Sequence, residues 1–247
     1  MTNFWKIVNK VIAESDVILE VLDARLVDET RNIEIENKIK KKNKKIIYVI
    51  NKCDLVDKEL MDKRKKELDH CIFVSALEHL GTTMLKKKIL HLGQKDKIIV
   101  GVLGYPNTGK SSIINALSGS SKARTSSVSG YTVGIQKIKA SNRIYLLDTP
   151  GVIPFEEDDN FKHAVIAAID PSKINEPDMI AMQLLEYLDG TIERFYEIEV
   201  LEDYEETIEN IAKKFNKLKK GGVPDVDQAS RMIIKDWQSG KIKLKKI

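Results

Sequence analysis

Gly104-Tyr105-Pro106-Asn107-Thr108-Gly109-Lys110-Ser111 reads G-x-x-x-x-G-K-S, and its flanks restrict what the chain can fold into. It follows Lys97–Leu103 (KIIVGVL), an apolar run of strand length, and opens Lys110–Leu117, which has helical spacing. A strand, a glycine-rich turn and a helix in that order collect backbone N–H groups at a helix N-terminus, where they cradle phosphate. In open α/β folds such loops lie at the carboxyl ends of parallel strands. The chain therefore has to supply a parallel sheet around Lys97–Leu103.

It contains the segments for one. Phe4–Ser15 carries Phe4, Ile7, Val8, Val11 and Ile12 on one helical face. Val17–Ala24 reads as a strand, 33–43 as a polar helix and Lys45–Ile50 as a buried strand. A helix over 57–68, a short strand Cys71–Val74 and a helix over 82–92 follow. Beyond the phosphate loop come a Ser/Gly-rich loop over 118–131 and two strands, about 134–140 and 143–147. Alternating strands and helices predict a mostly parallel sheet covered on both faces. After residue 155 the pattern changes to helices at 159–169, 176–189, 203–218 and 225–239. FYEIEV (195–200) is the only strand-like piece there. Gly221-Gly222-Val223-Pro224 reads as a turn with Asp225 capping the last helix. The expected organisation is an α/β domain over 1–155 and a small, mainly helical domain over 156–247.

Two more motifs sit where predicted strands end. Asp148-Thr149-Pro150-Gly151 reads D-x-x-G, and Asn51-Lys52-Cys53-Asp54 reads N-K-x-D. In this reading the phosphate loop, with Thr108, Gly109 and Ser112, holds the β-phosphate. Lys110 pairs with β- and γ-phosphates, and the Ser111 hydroxyl binds Mg²⁺. Asp148 orients the same Mg²⁺, and the Gly151 N–H senses the γ-phosphate. The Asp54 carboxylate accepts both N–H donors on the Watson–Crick edge of guanine, a pair that adenine lacks. Lys52 covers the base plane, Asn51 braces the loop, and the backbone N–H of Ser75-Ala76 meets guanine O6. Taken alone, N-K-x-D also fits a capped helix start with Asp54 as cap. An ATP-using P-loop enzyme remains a rival for as long as Asp54 plays no part. Thr125, Ser126, Ser127, Ser129 and Thr132 all offer a hydroxyl that can close on Mg²⁺ and γ-phosphate.

The order of the motifs is rotated, because the base reader precedes the phosphate loop. The chain therefore leaves the nucleotide-sensing segment Gly151-Val152-Ile153 directly into the helical region. Val152 stands where a Ras-like enzyme has a glutamine that orients the attacking water. Neither Val152 nor Ile153 can hydrogen-bond water, so hydrolysis needs a cation, a distant residue or a partner. Asn107 either helps hold a monovalent cation (K⁺) against the phosphates or only stabilises its turn.

Charge is unevenly spread. Residues 1–154 hold 27 basic and 17 acidic side chains, 155–209 hold 3 and 17, and 213–247 hold 11 and 3. The basic end is compatible with nucleic acid, and also with a solvated lysine-rich face. No apolar run has the length of a membrane span, and the first residues lack a signal peptide's apolar stretch. Cys53 and Cys71 read as reduced thiols, which favours a cytoplasmic setting. Trp5 and Trp237 read as packing residues. His70, His79, His91 and His163 lack metal-ligand spacing.

Together, N-K-C-D, S-A, G-Y-P-N-T-G-K-S-S and D-T-P-G in this order resemble the circularly permuted GTPases of the YlqF/YawG group, the ribosome-biogenesis GTPase A type. The likeness spans nearly the whole chain. Leu22-Asp23-Ala24-Arg25 with Arg31-Asn32 is similar to that group's D-A-R segment. Ser129-Gly130-Tyr131-Thr132 is similar to its threonine loop, which singles out Thr132. Lys235-Asp236-Trp237-Gln238-Ser239-Gly240-Lys241-Ile242 is similar to its D-W-x-x-G-K-I tail. Asn107 and Val152 also match. The resemblance implies a permuted Ras-like P-loop GTPase domain followed by a helical RNA-binding domain. It further implies GTP hydrolysis to GDP with Mg²⁺, stimulated by K⁺ and by the ribosome, in assembly of the large ribosomal subunit on its rRNA. A monomer is expected. The alternative is an RNA-binding assembly factor for which GTP or GDP is only a conformational ligand. Bacterial members carry an N-terminal P-G-H-M whose histidine is proposed to act in hydrolysis. Here no histidine precedes His70, so that role does not transfer, and the chain also resembles archaeal and eukaryotic-like relatives.

Overall fold

In a computed structural model, residues 3–119, 135–149 and 159–245 are described. The chain divides into two compact units, Met1–Asp158 and Asp159–Lys245, the last two residues set aside.

The first unit is built on a six-stranded sheet. Its strands are β1 (Val17–Asp23), β2 (Lys45–Asn51), β3 (Cys71–Phe73), β4 (Ile98–Leu103), β5 (Gln136–Lys139) and β6 (Ile144–Asp148). The order across the sheet is β3-β2-β1-β4-β6-β5. All neighbours are parallel except β5 on β6, which is antiparallel. Register pairs Asp23 with Asn51 and Glu20 with Leu103. The carboxyl ends of β1, β2, β4 and β6 therefore meet along one edge.

Six helices accompany the sheet among the described residues: α1 (Asn3–Glu14), α2 (Val27–Thr30), α3 (Ile33–Lys41), α4 (Lys58–Glu67), α5 (Thr82–Gly93) and α6 (Lys110–Ser118). Val17, Leu19, Val21, Val100 and Val102 pack one sheet face against Leu85 and Ile89 of α5 and against Ile113, Ile114 and Leu117 of α6. Ile18 and Leu103, on the alternate positions, pack the other face against Val8, Val11 and Ile12 of α1 and Ile35 and Ile39 of α3. This period-two split explains the apolar runs, because a strand covered on both faces has no solvent side. Each fully buried Ile, Leu or Val contributes about 2 kcal/mol.

The second unit contains α7 (Asn160–Val165), α8 (Pro177–Leu188), α9 (Thr191–Tyr196), α10 (Tyr204–Lys214) and α11 (Val226–Gln238). Asp225 caps α11 by accepting from the Gln228 N–H at 3.1 Å. The strand read into FYEIEV is a correction. Residues up to Tyr196 are helical, and Glu197 at φ 53° ends that helix. Ile192 and Tyr196, four residues apart, share a buried helical face. A strand also needs a neighbour, and residues 197–200 make no β pairing among the described residues. The D-W-x-x-G-K-I tail closes this unit. Fully buried Trp237 donates its indole N–H to Val165 O at 3.0 Å, and Gln238 donates to Ala164 O and Ile169 O. Asp236 accepts from Tyr196 Oη at 2.9 Å and Lys241 Nζ at 2.6 Å.

Behind the sheet edge lies one buried acid with an incomplete shell. Glu20 Oε1 accepts the Asn32 N–H at 2.9 Å, while Oε2 has no partner among the described residues. Burial pushes its carboxyl up to about 8, and nearby Glu36 adds to this against the Asn32 N–H, Arg31 and Lys40. Glu36 itself is held by Arg31 and by the Tyr48 hydroxyl. The folded protein thus keeps a proton that the unfolded chain releases near pH 4.5. Stability falls as pH rises through this window, being highest below the unfolded value. Glu20→Gln preserves the acceptor for Asn32 and removes the ionisation. Denaturant midpoints measured between about pH 5 and about pH 8 are expected to decline less in Glu20→Gln than in wild type. Equal declines would contradict this assignment.

Candidate nucleotide site

The phosphate loop spans β4 and α6. Gly104, Asn107 and Gly109 have positive φ (146°, 58° and 96°), which curls the backbone around a small volume. Thr108 Oγ1 donates to Tyr105 O at 3.0 Å, and Lys110 Nζ donates to the same carbonyl at 2.6 Å. No side chain caps the first turn of α6, where Ser111 and Ser112 lie half-buried. Its leading N–H groups are thus left to a ligand at the helix N-terminus.

Lys110 is buried, which lowers its ammonium pKa to about 8 against the opposing pull of Asp148. Burial likewise raises the Asp148 carboxyl, opposed by Lys110 and the Thr149 N–H. Asp148 Oδ1 is buried and has no hydrogen-bond partner among the described residues. An orphaned carboxylate oxygen beside a phosphate loop fits a hard divalent cation. Mg²⁺ therefore suits Asp148 together with the Ser111 hydroxyl.

Asn51 ends β2 and is buried. Its Nδ2 donates to Thr108 O at 2.9 Å, and its Oδ1 accepts the Ala76 N–H at 3.2 Å. One side chain thus spans the phosphate loop and the Ser75-Ala76 turn. Gly109 makes this possible, since a Cβ there would lie 2.1 Å from Asn51 Nδ2. The turn after β3 is closed by paired backbone bonds between Ser75 and Leu80, and Ser75 Oγ accepts the Glu78 N–H. Asp54 occupies a short 3-10 turn, Cys53–Leu55, that the Cys53 N–H ties to Val74 O. The next helix, α4, has Asp57 at its N-cap, so Asp54 is not the helix cap that the isolated tetrapeptide allowed.

Asp23 belongs to none of the three nucleotide motifs and stands only in the D-A-R segment. Asp23 is buried at the end of β1, opposite Asn51. Its carboxylate takes a two-pronged contact from Arg25 (3.1 and 2.9 Å) and accepts from Lys52 Nζ at 2.7 Å. Burial alone would raise this carboxyl, yet Arg25 and Lys52 hold it well below the usual carboxylate range. Lys52 has φ 60°, and its long side chain is directed toward β1 by this ion pair. The available signal was an acid and an arginine two residues apart at a strand end.

The structure brings together Asn51, Thr108 and Ala76 around one amide, and Lys110 with Asp148. Thr132, its rivals Thr125, Ser126, Ser127 and Ser129, and also Gly151 and Val152 lie outside the described residues.

Comparison with known proteins agrees with this geometry. Residues 25–157 match the family described as RsgA GTPase, and residues 99–220 match the family described as 50S ribosome-binding GTPase. The chain is 42% identical over 251 residues to a GTP-binding protein of Methanocaldococcus jannaschii, covering 98% of this chain and 66% of that one. It is 35% identical to nucleolar GTP-binding protein 2 of Saccharomyces cerevisiae, covering 96% of this chain and 52% of the yeast protein. This chain thus spans between half and two thirds of the length of those relatives. Among solved structures, GDP-bound YlqF of T. maritima superposes with a TM-score of 0.68 at 26% identity, covering 96% of this chain and 95% of that one. The GNP-bound form gives the same TM-score at 25% identity, covering 99% and 96%. A parallel sheet carrying rotated nucleotide motifs and these matches lead to one conclusion: the chain belongs to the circularly permuted GTPases of the YlqF group, which bind GTP and GDP with Mg²⁺.

Proposed function

We propose that this protein hydrolyses GTP to GDP and phosphate as a switch in assembly of the large ribosomal subunit. The observation that carries the reading is the Asn51 bridge, which holds a phosphate loop and a base-reading turn in one rigid unit. The family described as 50S ribosome-binding and the relatives named nucleolar GTP-binding protein 2 support the ribosomal setting. The site of action is then wherever large subunits are assembled, in the cytoplasm or, for nucleolar relatives, the nucleolus.

In this reading Asp54 accepts the guanine N–H pair, the Ala76 N–H meets guanine O6, and Lys52 covers the base. The loop from Asn107 to Ser112 binds the phosphates, and Lys110 neutralises them. Asp148 and the Ser111 hydroxyl would hold Mg²⁺, which would offset the charge that develops on the phosphates. Thr132 and Gly151 close on the γ-phosphate, and release after hydrolysis loosens both. Because the chain passes from Gly151 into the helical region, the state of the γ-phosphate biases that region's placement. Val152 offers no hydrogen bond to the attacking water. Asn107 would help hold a K⁺ ion, and that ion together with the ribosomal partner would supply the missing organisation.

Two outcomes are expected. Steady-state turnover is slow for the protein alone and rises with potassium and with large ribosomal subunits. Fast turnover lacking both would overturn the switch reading. Asp23→Asn removes the anion that positions Lys52 and leaves two cations uncompensated. Calorimetry should then show GDP binding weakened by about tenfold, or about 1.4 kcal/mol, along with a lower Tm. An unchanged Kd would show that the Asp23–Lys52 pair does not position the base cover.

A further inference from the structure

The segment between α10 and α11 is a small finger. Leu218 and Pro224 form an antiparallel bridge. Lys219 N donates to Val223 O at 2.8 Å, Asp225 N to Lys217 O at 2.8 Å, and Gly222 N to Lys219 O at 3.1 Å. The tip is therefore the four-residue turn Lys219-Lys220-Gly221-Gly222, with φ 88° and 80° at the two glycines. A Cβ at either glycine would meet no atom within 4 Å, so the tip projects away from its own unit. The root is fixed, since Lys217 N donates to Ala212 O and Phe215 packs edge-on against Tyr196. Asp225 at the other root caps α11.

Charge on this finger is one-sided. Lys219 and Lys220 are exposed at the tip, and Lys217 is half-exposed on the rising arm. Lysines nearer the helix are engaged, Lys213 with Glu209 and Lys214 with the Glu197 carbonyl. The acids closest to the finger are also occupied. Asp225 accepts the Gln228 N–H, and Asp227 is gripped by both arms of Arg231. Arg231, and more weakly Lys219, favour the ionised form of Asp227, whose two oxygens are taken by Arg231. The side-chain ammonium groups of Lys217 and Lys220 make no hydrogen bond or ion pair among the described residues. The flanks are apolar and open, with Leu218 at 41% and Val223 at 57% exposure. A solvated lysine-rich surface gains nothing from a glycine-built turn that lifts two cations clear of the fold.

We infer that the finger 217–225 is an RNA contact, in which Lys217, Lys219 and Lys220 bind phosphates while Val223, opposite Lys219 in the ribbon, lies against ribose. Lys217 and Lys219 lie two residues apart along an extended arm, about 6.5 Å, on the scale of successive nucleotides. The wide, shallow groove of A-form RNA admits such a ribbon, and its phosphates lie at the rims. Contacts of this kind position the protein and read no sequence. The inference rests on the ribosomal reading above and names the element that touches RNA.

The test uses the full chain and deproteinised large-subunit rRNA, with affinity followed against salt concentration. Each phosphate contact adds roughly 0.7–0.9 to the slope of log affinity against log salt. The triple variant Lys217→Ala, Lys219→Ala, Lys220→Ala should flatten this slope by about 2 while leaving GDP affinity and Tm unchanged. The control Lys65→Ala, Lys66→Ala, exposed lysines of the other unit, should keep the wild-type slope. A triple variant with wild-type slope overturns the inference while the RNA reading stands. Equal loss in both variants also overturns it, since binding is then diffuse. If the triple variant binds free rRNA normally but fails on intact subunits, the finger meets a ribosomal protein and the RNA assignment is wrong. If the wild-type chain does not bind rRNA at all, both the inference and the RNA reading of the helical unit fail.

Discussion

The side-chain amide of Asn51 joins two loops that lie 57 and 25 residues away from it in the chain. It donates to the Thr108 carbonyl and accepts from the Ala76 amide, and both contacts are buried. Removing it leaves two buried backbone groups unpaired, at about 1–3 kcal/mol each. The contact needs Gly109, because a side chain there would occupy the position of Asn51 Nδ2. It also depends on the sheet order. β1 lies between β2 and β4, so Asn51 reaches past the end of β1, where Asp23 holds Lys52 and Arg25. Bracing of the phosphate loop and the direction of the Lys52 side chain are therefore set by neighbouring side chains on two adjacent strand ends.

Seen from this edge, rotation of the motif order leaves the site intact. Strand ends meet because the parallel strands share a direction, whichever connection is cut. What rotation alters is the exit. In this chain the segment after β6 continues into the helical unit, and the base-reading half comes first. The proposed switch uses that exit to connect the γ-phosphate with an RNA-binding unit, whose basic finger is a separate element with its own chemistry.

Much of this was legible in the residues. Motifs with a mechanism, such as G-x-x-x-x-G-K-S after a strand, carry their context with them. The apolar runs of β1, β2 and β4 show strands buried on both faces. Other features depend on tertiary neighbours. Nothing in N-K-x-D tells that Asn51 bonds to Thr108, because that contact exists only once β2 and β4 flank β1. Asp23 reads as an ordinary strand-end acid until Lys52 and Arg25 converge on it. Glu20 sits in a run that reads as plain strand, yet its burial beside Glu36 alters its protonation. FYEIEV has the β-branched and aromatic content of a strand, but Ile192 and Tyr196 share a helical face, and no strand among the described residues of that unit lies beside it. The D-W-x-x-G-K-I tail, quoted only as a resemblance, turns out to be a packing and hydrogen-bonding closure centred on Trp237 and Asp236.

The central claim is that Asn51 makes one guanine-selective site out of a phosphate loop and a base-reading turn. The direct measurement is Kd for GDP and for ADP in wild type and in Asn51→Ala. Strong preference for GDP is expected in wild type. In Asn51→Ala both nucleotides should bind more weakly and with a smaller preference, because the phosphate loop and the Ser75-Ala76 turn are no longer tied together. Equal GDP and ADP affinity in wild type, or an Asn51→Ala protein that keeps both wild-type affinities, would contradict it.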